Sequence, residues 1–120
     1  MDPFIQVTTT TDKREDAERI ARALVEERLA ACVQILGPLT SVYRWKGKVE
    51  TAGEWLCLIK SRHSLQGAIA TAIAALHPYE TPEIVVQPIT DGSRDYLEWL
   101  GDNLDPSGGR EESPDGERKK

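Results

Sequence analysis

No run in this chain approaches the ~20 apolar residues that a bilayer-crossing helix needs, which excludes a helical membrane protein. Its start, Met1-Asp2-Pro3-Phe4, carries neither a basic opening nor an apolar signal core, so the expected location is the cytoplasm. Basic charge is scarce: 15 Lys and Arg against 20 Asp and Glu leave a net charge of -5, the wrong sign for a general nucleic-acid binder. Cysteine is scarce too. Cys32 and Cys57 sit in apolar runs with no CxxC or Cys/His ligand spacing, so buried, reduced, inert thiols are expected, with a disulfide or metal role the minority reading. The segment after the first apolar run, Thr8 to Asp12, lacks glycine and cannot cradle a phosphate. Neither a Gly-x-Ser-x-Gly elbow nor an HExxH helix occurs, and the expectation is that the protein is not an enzyme.

What the chain does have is periodicity. At 120 residues it holds one domain, with an ordinary 39% hydrophobic and 29% charged composition. Phe4 to Thr10 reads as a β-branched strand. Asp12 and Glu15 have capping-box spacing, and Ala17, Ile20, Ala21, Leu24, Val25 and Leu29 recur as one helical face. No convincing stop precedes Ala31 to Leu36, where Gly37-Pro38 breaks the run. The pattern then predicts two long antiparallel strands, each with an internal bend, joined by a tight turn at Lys46-Gly47-Lys48. Such a hairpin, bearing Tyr43, Trp45 and Trp55, is a costly exposed edge unless a neighbouring subunit covers it. Leu65, Ile69, Ala72, Ile73 and Leu76 form a second helix face, capped by Ser64 and stopped by Pro78. Glu83 to Ile89 is a fourth strand, placed at an edge or bulge because Pro88 has no N–H. A short helix carries Tyr96, Leu97, Leu100 and Leu104 on one side. The expected fold is α+β: a ferredoxin-like βαββαβ domain over residues 1–104 with a four-stranded antiparallel sheet, a long bent hairpin and an extra C-terminal helix. Residues 105–120 read as a disordered charged tail.

Four features could carry chemistry. In His77-Pro78-Tyr79-Glu80-Thr81-Pro82 the two prolines stiffen a joint that presents an imidazole, a phenol and a carboxylate. That suits a ligand or metal site; equally, His77 can cap the second helix while Tyr79 and Glu80 hold the joint to the hairpin. Tyr43 and Trp45 alternate onto one face of the hairpin, as a stacking platform for a ring-bearing ligand or as an interface anchor. Lys60, Arg62 and His63 leave the third strand as an anion site or as solvated charges. The threonines from Thr8 to Thr11 suit a helix N-terminus that meets an anion, or simply a strand. The basic aromatic signature of an RNA-binding sheet is missing.

Four blocks in order resemble the CutA family of divalent-cation tolerance proteins: Ala30-Ala31-Cys32-Val33, Ser41 to Lys48, Leu76 to Glu83, and Asp95 to Leu100. The resemblance covers Phe4 to Leu104. It implies a homotrimer similar in architecture to the PII-type signalling proteins, with the hairpin reaching onto a neighbouring subunit. It also implies a divalent cation, chiefly copper, or a small ligand near subunit interfaces, with His77 as metal residue and Tyr43, Trp45, Lys60, Tyr79 and Glu80 around the ligand. Where some members hold copper with a strand cysteine and a His-His pair, this chain has Thr8, Leu76 and His77. One imidazole makes a tight transition-metal site only if assembly adds ligands. Two alternatives stand beside this reading. One is a trimeric structural, adaptor or PII-like signalling protein without a metal role; the other is an enzyme on a small anion, with His77 as acid or base and Lys60 holding charge.

Overall fold

Threonine and β-branched residues build β1 (Phe4–Thr11), and their alternation sends Ile5, Val7, Thr9 and Thr11 into the core. A computed structural model describes residues 2–106. Helix α1 (Arg14–Glu26) buries Ala17, Ile20 and Leu24. Strands β2 (Cys32–Trp45) and β3 (Lys48–Arg62) form the long hairpin, followed by a 3-10 turn, α2 (Gln66–Leu76), β4 (Val85–Pro88) and α3 (Arg94–Asp102). The sheet order is β2-β3-β1-β4, antiparallel throughout, as the ferredoxin-like pattern predicts. β4 is one of the two edge strands, which is where Pro88 belongs.

Three local signals read from sequence resolve differently. The Asp12–Glu15 capping box does not form: Lys13 occupies the N-cap without a side-chain cap bond, and the Thr11 hydroxyl donates instead to the Lys13 carbonyl at 2.8 Å. Ser64 does not cap α2, because its N–H and hydroxyl both donate to the Asp2 carboxylate, at 2.9 and 2.7 Å. The missing stop of α1 is a Schellman ending made without glycine. Arg28 takes φ 61°, its N–H bonds Val25 O at 3.0 Å, and Leu29 N–H bonds Leu24 O at 2.9 Å. Arg28 holds this costly conformation by donating to the carbonyls of Asp102 and Leu104.

The hairpin bend is a register shift in β2 between Leu36 and Leu39, across the cis Gly37-Pro38 bond; two residues of β2 oppose Trp55 alone. β3 continues through Gly53 without a break in register. At the tip, Lys46 (φ 51°) and Gly47 (φ 80°) make the two-residue turn with both centres left-handed that suits strand twist. Beyond the bulge the hairpin projects, leaving Val42, Tyr43, Trp45 and Val49 exposed.

The helices α1 and α2 cover one face of the sheet and seal a core of Ile5, Val7, Ile20, Leu24, Ile59, Ile69 and Ile73. Pairing places Thr8, Leu58, Lys60 and Leu56 on the other face. There α3 covers only one end, where Gly101 approaches Phe4 and Arg62. Asp105 is buried and its N–H bonds Arg28 O at 2.9 Å, so the ordered domain runs at least one residue past Leu104. The tail expected from sequence lies, from 107 to 120, outside the described residues.

Candidate functional site where hairpin and joint meet

The stiff segment after α2 turns back across the C-terminal end of β1. His77 ends α2 with its N–H on Ile73 O and lies buried. Its Nε2 meets the Thr10 carbonyl at 2.7 Å, and its Nδ1 accepts the Tyr79 N–H at 3.1 Å. Because Nδ1 accepts, the ring proton sits on Nε2 and is donated to Thr10. Both nitrogens are thereby engaged, and the rings of His77 and Tyr79 contact at 4.7 Å. The imidazole ties helix, joint and first strand together.

Tyr79 reaches from this joint to the hairpin. Its hydroxyl donates to Glu54 Oε2 at 2.7 Å, and Ser41 Oγ donates to Glu54 Oε1 at 2.7 Å. Glu54, only 8% exposed, is the centre of the network. Burial, reinforced by the hydrogen bond to Glu54 and that residue's negative charge, pushes the Tyr79 phenol well above its ordinary range. The phenol therefore stays neutral and donating at physiological pH.

Above this floor opens a cleft of about 770 Å³ lined by Tyr43, Trp45, Glu54, Tyr79, Glu80 and Glu83, with Thr10, Ser41, Val42 and Thr81 between them. Four of the residues singled out from sequence thus share one site: Tyr43, Trp45, Tyr79 and Glu80. Lys60 does not join them. It lies six residues along β3 from Glu54, roughly 20 Å at strand spacing, where its Nζ donates to Gln34 at 3.0 Å beside the Tyr96 ring. The joint and Lys60 do not converge on one cavity, as an acid–base enzyme on an anion would require. Arg62 is likewise engaged within the chain: it donates to Gly101 O at 2.9 Å and pairs with the Asp2 carboxylate at 3.8 Å. Glu54, Ser41 and Glu83 also belong to the cleft: Ser41 and Glu83 stand at the ends of two of the blocks read from sequence without being singled out there, and Glu54 lies outside all four.

A family model described as CutA1 divalent ion tolerance protein matches residues 5–103. The chain belongs to the CutA1 family. It is 50% identical over 97 residues to the divalent-cation tolerance protein CutA of Thermus thermophilus, covering 81% of this chain and 94% of that one. It is 45% identical over 98 residues to Protein CutA, chloroplastic, of Arabidopsis thaliana, where the match spans 82% of this chain and 54% of the relative. The solved structure of the divalent cation tolerance protein from Thermus thermophilus superposes with a TM-score of 0.83 at 47% identity, over 85% of this chain and 99% of that one. Within this CutA domain the described residues include no group of three or more His, Cys, Asp or Glu placed to hold a metal. No helix among them is long and apolar enough to cross a membrane.

The donor set of the cleft also speaks against copper within one chain. His77 has both nitrogens engaged, and the donors lining the cleft are carboxylate and hydroxyl oxygens, which suit harder cations.

Proposed function

We propose that this protein acts as a homotrimeric divalent-cation tolerance protein, not an enzyme, whose trimer binds a divalent cation or a small ligand in the cleft between hairpin and joint. The observation that carries the reading is the Ser41–Glu54–Tyr79 network, which builds a rigid floor under a cleft of ligand size. Assembly is supported by the sheet face that α1 and α2 leave bare and by the exposed apolar hairpin. A cation would be held by Glu80 and Glu83 with water completing its shell; His77 positions the joint, since a metal at either ring nitrogen displaces a backbone bond. Two unpaired thiols, Cys32 and Cys57, are consistent with the reducing cytoplasm.

Calorimetry with manganese, zinc and copper ions, on the native protein and on His77→Ala and Glu80→Gln/Glu83→Gln, tests this. The expected result is weak binding lost in the double glutamate variant. Equal binding by all three forms places the ion elsewhere. The engaged nitrogens of His77 favour one second reading, a trimer that serves as an adaptor or PII-like signalling body with no metal role. Absence of any cation binding by an intact trimer would select it.

A further inference from the structure

We infer that the cleft takes an organic ammonium ion, a small mono- or diamine in its protonated form. The inference rests on the reading of this cleft as a ligand site and names the ligand's chemistry. Among the described residues, every charged group on its wall is a carboxylate: Glu54, Glu80 and Glu83. No described Lys, Arg or His lines it, so a phosphate or carboxylate ligand meets like charge there. That leaves cations, and the wall distinguishes among them. A volume of about 770 Å³ suits a small molecule and is far larger than a bare ion needs. The aromatic rings of Tyr43 and Trp45 offer the negative faces that attract an alkylammonium, while giving a hydrated metal ion little to coordinate. Trp45 already attracts a cation of its own chain, Lys46 Nζ at 5.8 Å from the ring centroid.

The carboxylates divide the work. Both oxygens of Glu54 are taken by Ser41 and Tyr79, so Glu54 supplies field from the floor. Glu80 and Glu83 are exposed at the wall; Thr8 Oγ1 donates to Glu83 Oε2 at 3.5 Å, a long bond that leaves Glu83 Oε1 and the Glu80 carboxylate to accept ammonium N–H groups. A diamine fits this division, with one end over the indole and the other between the two glutamates.

The test follows the indole N–H resonances of the assembled protein during titration with putrescine, with tetramethylammonium, and with AMP as an anion. The sequence has three tryptophans, and Trp45→Phe identifies the resonance of Trp45. Putrescine and tetramethylammonium are expected to move the Trp45 resonance with saturation while that of Trp99, also exposed, stays put. Glu80→Gln/Glu83→Gln should weaken putrescine about tenfold. Equal movement of all three resonances, or a stronger response to AMP, overturns the inference. Manganese binding without amine binding also overturns it and leaves the cleft a cation site; binding of neither removes both readings. A Trp45 resonance released only by Lys46→Ala/Lys48→Ala would assign the cleft to the basic turn of a neighbouring copy, which likewise ends the small-ligand proposal.

Discussion

Gly37 lies so close to Trp55 that a single methyl group has nowhere to go. A Cβ there would sit 2.5 Å from Cε3 and 2.8 Å from Cδ2 of the indole, with Glu54 O at 3.1 Å. Gly37→Ala is therefore expected to cost about 1–3 kcal/mol through forced repacking, read as a lower urea midpoint. Tyr79 offers a second case. Its folded pKa is raised, so the neutral phenol contributes stability that is fully present below the unfolded value near 10.0 and is lost as pH climbs toward the folded one. Tyr79→Phe should remove that alkaline loss and, by leaving Glu54 Oε2 without its donor, cost about 1–3 kcal/mol at pH 7. Urea titrations at pH 7 and pH 10.5 separate the two effects. Burial also raises the Cys57 thiol to about 11. At pH 8 a thiol reagent should modify half-buried Cys32 first, reaching Cys57 only on unfolding.

At the scale of elements, the ends and turns are held by tertiary contacts more than by local motifs. Arg28 in the Schellman position is the example: a glycine would be easier there, yet the guanidinium ties α1 to the end of α3. Arg28→Ala should lose the tether while keeping the backbone strain, costing about 1–2 kcal/mol; Arg28→Gly should lose less, because it relieves φ 61°. Chemical denaturation of the two variants checks the order. The four strands and the helices were legible because alternation and 3.6-residue spacing follow directly from which side is buried. Their caps were not: Asp12 and Ser64 are suitable capping residues, but Thr11 and Asp2 supply the local bonds that decide the start. The bulge at Gly37-Pro38 was legible and the continuous β3 was not, since Gly53 finds an ordinary partner in Thr40.

For the molecule as a whole, the dimensions carry the argument. Principal extents of 51 × 31 × 22 Å and a radius of gyration of 15.4 Å exceed the roughly 13–14 Å of a compact domain of this length. The excess is the hairpin, whose exposed Val42 and Val49 seek a covering surface in the proposed trimer. Leu36, 47% exposed at the rim of the bare sheet face, is placed to join that interface. Leu36→Glu is expected to shift light-scattering mass from trimer toward monomer while leaving the far-ultraviolet circular dichroism unchanged. An unchanged mass would move the interface off this face.

The sequence by itself determined the ferredoxin-like order of elements, the edge position of the proline-bearing strand and the membership of the CutA family. Periodic burial and an ordered set of blocks are properties of the chain read one residue after another. Only the tertiary structure decided that His77 spends both nitrogens on backbone, that Lys60 stands apart from Tyr79, and that Glu54 joins Ser41 and Tyr79 under the cleft. Those facts depend on strand register and on which carbonyl a turning segment meets, distances set by packing between residues far apart in sequence.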